Sequence, residues 1–273
     1  MDVIRTKDRD LLREVFRRDP IASMYMAGDL DEPVFSQCEW FAATQSGRAL
    51  AVLLIFHGLS VPSVLATGDV ECVRRILAHV NADLPAKFYT KLDAEQRAVF
   101  RDYFEFEGAE PLTVMFLEQF RAEFPRSGVG IRLLQPADAV EEIRGLYRDY
   151  PGNFFEPAHM AHNVYCGAWE GGALAAIAGT HAFAPPERVA VLGNVVTSAR
   201  KRGRGLCRQT CSFLVEELLR RGCESIGLHV GEDNEPAIRC YRSIGFARHS
   251  SLMQALAGRR RGDHVNSGTP KNR

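Results

Sequence analysis

The stretch with the clearest chemical content is Gly193-Asn-Val-Val-Thr-Ser-Ala-Arg200-Lys-Arg-Gly203-Arg-Gly205-Leu206-Cys-Arg208, which passes from an apolar strand pattern into a helix. Gly203 and Gly205 permit a tight turn and a close backbone approach, and the first amides of the following helix lack intrahelical acceptors. Those amides, with the positive end of the helix dipole, favour an anion. Arg200, Lys201, Arg202 and Arg204 add positive charge at the same place, and no acidic residue lies between Glu187 and Glu216. A polyphosphate suits such a loop. G-x-x-x-x-G-K-[ST] is absent, which excludes a Walker-type nucleotide site, and position 208 is Arg where a dinucleotide fingerprint would need its third glycine. Taken alone, the loop is also compatible with a solvated basic helix start or a nucleic-acid patch.

A second segment, Asn234-Glu-Pro-Ala237-Ile-Arg-Cys-Tyr241-Arg-Ser-Ile-Gly245-Phe246, begins about thirty residues later. Its offsets put Asn234, Ala237 and Tyr241 on one helical face, Gly245 ends the helix, and Phe246 opens a strand. The pair of segments, Arg200-x-x-Gly203-x-Gly205 followed by N-x-x-A-x-x-x-Y-x-x-x-G-F, resembles the two recurrent motifs of the GNAT family of acyl-coenzyme A dependent N-acetyltransferases, over Ile131 to about Ala255. The hairpin before them is similar to the branch of that family with a degenerate acetyltransferase-like domain at its N-terminus.

That resemblance implies an α/β (α+β) fold of tandem GNAT-like domains, each a twisted mixed sheet flanked by helices. Residues 1–122 would be a domain without a cofactor site, 123–257 the catalytic domain and 258–273 a disordered tail. It implies acetyl-CoA as acyl donor, with no metal, and direct attack of a primary amine on the thioester. Two middle strands, Arg188 to Val196 and Ser225 to Val230, would splay to admit pantetheine beside Asn194 and Val195. The amides of Lys201 to Leu206 would hold the pyrophosphate, so that Arg200, Lys201, Arg202, Gly203, Arg204, Gly205, Leu206 and Asn234 complete the coenzyme site. Tyr241 is the expected general acid, because a phenol near pKa ~10 can protonate a thiolate whose thiol lies at roughly 8 to 9. The expected base is His229. In Ile226-Gly-Leu-His-Val-Gly, alternation sets Gly227, His229 and Gly231 on one face, and the glycines leave room for a substrate beside the imidazole. His181 and Glu170 are lesser candidates. Phe154, Phe155, Glu156 and Tyr165 could line an acceptor pocket for a small-molecule or peptide amine. A non-catalytic acyl-CoA-binding protein is the rival reading.

The elements that must position these groups alternate along the chain. A helix is expected over Thr6 to Arg18, strands at 39–44, 49–57 and 63–67, a helix at 69–80, a strand at 87–90, a helix at 94–104 and a strand at 112–117. After a Pro- and Gly-containing link at 120–130 the pattern restarts: a strand at 131–134, a helix at 136–148, a hairpin at 163–183, and strands and helices alternating to 255. In the first half the place equivalent to the basic loop reads Gly68-Asp69-Val-Glu71. Its carboxylates would repel a pyrophosphate, so this half is expected to bind no coenzyme and to pack on the second, closing its substrate side.

Composition is that of an ordinary globular protein. The 273 residues are 46% hydrophobic and 25% charged, which excludes disordered and fibrous classes. Lys plus Arg and Asp plus Glu balance at 34 each, so a dedicated nucleic-acid or membrane binder is not expected. Seven cysteines without a C-x-x-C pair read as reduced core thiols, so a cytoplasmic protein is expected, as a monomer or homodimer. Cys207 and Cys211 lack a histidine at metal-site spacing. Arg259, Arg260 and Arg261 are expected to be solvated.

Overall fold

The computed structural model describes residues 1–122, 129–135, 140–148, 150 and 155–260. The first half runs β1 (Asp2–Thr6), α1 (Arg9–Phe16), α2 (Met24–Gly28), β2 (Cys38–Gln45), β3 (Arg48–Phe56), β4 (Ser63–Gly68), α3 (Val70–Val80), β5 (Lys87–Leu92), α4 (Ala94–Phe100) and β6 (Phe104–Leu117). The second runs β7 (Gly130–Leu133), α5 (Val140–Arg148), β8 (Tyr165–Glu170), β9 (Ala173–Ala184), β10 (Val189–Thr197), α6 (Leu206–Arg220), β11 (Ser225–Gly231), α7 (Glu235–Ile244) and β12 (Phe246–Arg259). The order of strands and major helices in the first half recurs in the second.

The described strands form one mixed sheet in the order β1-β2-β3-β4-β5-β12-β6-β11-β10-β9-β8-β7. At its centre β6 and β12 cross over. The end of β12 lies between β5 and β6, and the end of β6 lies between β11 and β12, the two pairing from Phe246/Leu117 to Arg259/Phe104. Each half thus borrows a strand from the other. A cut at residue 122 would leave β11 without the antiparallel partner that runs from Phe116 to Leu112.

Alternation along the strands distributes the core between two faces. In β3, Val52 and Leu54 join α1 and α2, while Leu53 and Ile55 join α3 and α4. In β10, Val189 and Val191 belong to the α1/α2 side, and Ala190 and Leu192 to the α6/α7 side. Local chemistry sets the helix ends. Asp8 accepts from the amides of Asp10 and Leu11, Asp93 and Gln96 form a capping box, and Asn234 caps α7. Gly245 then stops α7 in the left-handed region (φ 114°) where its missing side chain lets Gln119 approach.

Several expectations are corrected. Asp2–Thr6 is an edge strand paired with β2 along its whole length, so the helix expected from Thr6 begins only at Arg9. The short helix α2 was not anticipated. β6 begins at Phe104 and β12 extends to Arg259, since the exchange gives both strands partners along their whole length. Arg259 and Arg260 are exposed but also anchored: the Arg259 guanidinium donates to the carbonyls of Asn81, Ala82 and Leu84, and Arg260 donates to that of Arg101. The expected boundary at 122/123, the first turn of the 136–148 helix, Phe154, Arg261 and the rest of the tail fall on or against residues outside those described.

Candidate functional site

The parallel strands β10 and β11 pair only from Val189/Ser225 to Leu192/Leu228, yet both run on, to Thr197 and Gly231. They part because β10 changes register against β9 between Gly193 and Val196, with Asn194 in the left-handed region (φ 52°). Asn194 is locked there. Its side-chain amide donates to Tyr165 Oη at 2.9 Å, and its carbonyl accepts from the Tyr147 hydroxyl. The Asn194 carbonyl is therefore already engaged, which leaves less of this backbone open than the sequence suggested; Val195 beside it is half-buried.

At the end of β10 the chain enters the basic loop. Gly203 (φ 77°) and Gly205 (φ 74°) both need the left-handed conformation, and a Cβ on Gly203 would meet nothing, so conformation alone explains that glycine. Gly205 is the N-cap of α6 and no side chain caps the helix, so its first-turn amides face outward. Arg200, Arg202 and Arg204 are exposed and Leu206 is buried beneath them. Lys201 departs from expectation: its amide donates to the Ser198 carbonyl at 2.9 Å, and its ammonium lies 2.7 Å from the Glu170 carbonyl oxygen and 3.3 Å from its carboxylate. Arg204 reaches the same carboxylate at 3.2 Å. Hydrogen bonding to Lys201, then the charge of Arg204, holds Glu170 below the usual carboxylate range. Glu170 is thus a counter-ion rather than a base. The loop, free of acids in sequence, has one in space because the β8–β9 hairpin brings it there.

Tyr241 lies buried between α6 and α7, its ring edge-on to Phe246 at 5.9 Å. Burial, then the neighbouring thiols of Cys211, Cys207 and Cys240, push the phenol well above its ordinary value, so it keeps its proton. Asn234 serves as the cap of α7, accepting from Ala237 at 3.2 Å.

His229 stands on the other face of the sheet, under the first half of the chain. Its ring is 4.9 Å from that of Tyr25 in α2, and its Nδ1 is buried without a partner. Burial lowers its pKa well below the imidazole norm, helped by the charges of Lys91 and His181. Tyr25 Oη lies 3.1 Å from His181 Nδ1, and Lys91 Nζ sits 3.9 Å over the Tyr25 ring. The room beside Gly227, expected for a substrate, is filled by Met24. Of the expected acceptor residues, Tyr165 is core, Phe155 stacks on Tyr147 at 4.9 Å, and Glu156 is exposed. Nothing in the sequence links Tyr25, Asp29 or Lys91 to His229; only the exchanged sheet does. Among the described residues no cluster of His, Cys, Asp and Glu could hold a metal, and no helix is long and apolar enough to cross a membrane.

Residues 120–246 match the model of the acetyltransferase (GNAT) family. The chain has the GNAT acetyltransferase fold. A GNAT-family structure from Novosphingobium aromaticivorans is similar at TM-score 0.61 and 19% identity, over 89% of this chain and 99% of the other. A GCN5-related N-acetyltransferase from Kribbella flavida gives 0.60 at 17%, over 89% and 95%. A tandem GNAT protein of the clavulanic acid biosynthesis pathway gives 0.57 at 12%, over 94% and 98%. No curated protein matches. In GNAT terms, the family model spans the parted strands, the basic loop and the Tyr241 helix; α2 and Lys91 lie outside it.

Proposed function

We propose that the chain is an N-acyltransferase that moves an acetyl group from acetyl-CoA to a primary amine. The observation that carries this reading is the parting of β10 and β11 directly above the uncapped, arginine-flanked start of α6. The residues present fit the donor. The amides at the start of α6, with Arg200, Arg202 and Arg204, suit a pyrophosphate. Thr197 Oγ1 and Gln209 Oε1, on either side of the loop, are buried polar atoms with no protein partner. Bound between the strands, the donor supplies an activated acyl group as a thioester.

On this reading Tyr241, on the α6/α7 face of the sheet, is the acid and His229, on the other face, is the base. His229, neutral at physiological pH, takes the proton that the amine loses as its nitrogen bonds to the acyl carbon. Tyr241, still protonated, gives its proton to the sulfur as the carbon–sulfur bond breaks. The fold sets the charge state of each group in the direction its role requires.

The same reading makes the chain a tandem of two such units, divided near residue 122, with only the second binding coenzyme. In the first half β4 and β5 also pair over just two positions, but Gln96 donates to the Ala66 carbonyl at 3.0 Å beside the gap. The Asp69 side chain caps α3 where the second half leaves α6 open. We assign the protein to the cytoplasm on its seven unpaired thiols.

Calorimetry with coenzyme A, followed by thiol release with a panel of amines, tests the proposal. Tyr241→Phe should slow turnover at least tenfold while leaving coenzyme affinity within about twofold. Absence of coenzyme binding, or full turnover in Tyr241→Phe, refutes it.

A further inference from the structure

The half-buried group around Tyr25 is assembled from both halves of the chain. α2 supplies Tyr25 and Asp29, β5 supplies Lys91, β9 supplies His181 and β11 supplies His229. Two close contacts fix α2 there: Met24 packs into the space of Gly227, and Gly28 closes on Ala182. Lys91 is the unusual member. Its ammonium rests on the face of Tyr25 and makes no ion pair among the described residues. Asp29 acts on it only at longer range. Burial pushes the Asp29 carboxyl up to about 7, so its countercharge is incomplete at neutral pH, and lowers Lys91 to about 8, which leaves it mostly protonated. Tyr25 and His229 are both held neutral. The group therefore offers one cation without a close anion, next to a neutral imidazole whose Nδ1 has no partner. An under-compensated cation of this kind favours an anionic guest.

We propose that this group is the acceptor subsite, and that it takes a primary amine carrying a carboxylate, the carboxylate on Lys91 and the amine against His229. The distances limit the size of the guest. Lys91 Nζ and the centre of the His229 ring both lie close to the Tyr25 ring, at 3.9 and 4.9 Å from its centre, so they are separated by less than about 9 Å. Hydrogen bonds of about 2.8 Å at each end leave at most roughly 3 Å between amine nitrogen and carboxylate oxygen, so the guest is no longer than a small amino acid. Tyr25, held by His181, forms the wall along which such a guest lies. The inference rests on the transferase reading for its function, and on the cluster alone for its location.

Matched acceptors test it: glycine against glycinamide and β-alanine against β-alaninamide, by thiol release and by calorimetry on the coenzyme-loaded protein. The carboxylate member of each pair should be preferred at least tenfold in kcat/KM. Lys91→Gln should bring the ratio within about threefold, and Lys91→Arg should restore part of it; circular dichroism checks that each variant folds. Turnover without a carboxylate preference, or a preference that survives in Lys91→Gln, overturns the subsite and leaves the transferase reading standing. Binding of glycine that depends on Lys91, with no turnover of any amine, supports the subsite and removes the transferase reading. Neither turnover nor Lys91-dependent binding of the amino acids overturns both.

Discussion

Gly28 ends α2 against β9, where a Cβ built on it would stand 2.6 Å from the Cβ of Ala182. Gly28→Ala sets two effects against each other. Helix propensity favours alanine by at most ~1 kcal/mol, and by less at the last residue of a five-residue helix. Two methyl carbons rest at about 3.5 to 4 Å, so α2 or β9 must yield by roughly 1 Å. Over-packing of that kind costs ~1–3 kcal/mol. Ala182 is only 8% exposed and its Cβ is fixed to the strand backbone, so it cannot swing aside. Packing wins, and the variant should be destabilised by about 1–2 kcal/mol, a fall in Tm of about 2–8 °C. Urea and thermal unfolding measure this directly. Ala182→Gly alone should cost roughly 1 kcal/mol for the lost methyl and the added backbone freedom. The double variant should recover at least ~1 kcal/mol relative to additivity, because one methyl has simply changed sides. A raised Tm for Gly28→Ala, or strict additivity, would refute the claim that this contact sets the position of α2.

Glu170→Gln removes the carboxylate shared by Lys201 and Arg204 but leaves Lys201 on the Glu170 carbonyl; coenzyme A should bind about two- to fivefold tighter, with the gain shrinking at high salt. Weaker binding by calorimetry would show instead that the carboxylate orders the loop. Asp29, pushed up to about 7, keeps in the folded state a proton that the unfolded chain releases near pH 4. Its contribution to stability is therefore full below about pH 4 and is lost as pH rises towards 7. Asp29→Asn should gain on the wild type across that window by roughly 4 kcal/mol, and parallel denaturation curves at pH 5 and pH 8 would contradict the assignment.

The geometry of the basic loop and of α7 was legible because it is local. Gly203, Gly205 and the four basic residues act through backbone conformation and charge within one loop, and Asn234, Ala237, Tyr241 and Gly245 are tied together by helical periodicity. What was hidden depends on long-range pairing. The alternation that set His229 opposite Ile226 and Leu228 could not say that Met24 would occupy the space of Gly227, or that Lys91 would charge its surroundings. Glu170 lies 31 residues before Lys201, and only the hairpin register brings them together. The first half was harder for a similar reason: Asp2–Thr6 and Met24–Gly28 are too short for periodicity to decide, and each is fixed by the partner it meets.

The exchange of β6 and β12 explains why His229 lies under the other half of the chain. In the second half α5 covers β8, β9 and the far end of β10 through Ile143, Leu146 and Tyr147, on the face opposite α6. It does not extend over β11, whose Gly227, His229 and Gly231 would otherwise face solvent on that side. Because β6 lies beside β11 and continues into the first half, α2 is carried onto the uncovered surface, and Met24 and Tyr25 close it. In the first half the corresponding helix start is capped by Asp69, and Gln96 bonds the Ala66 carbonyl beside the gap between β4 and β5. As a wall that half can change at Tyr25, Asp29 and Lys91 without disturbing the basic loop or Tyr241. Acceptor choice and donor binding would then reside on different parts of the chain, and substitutions in the first half should alter which amine reacts while coenzyme affinity stays the same.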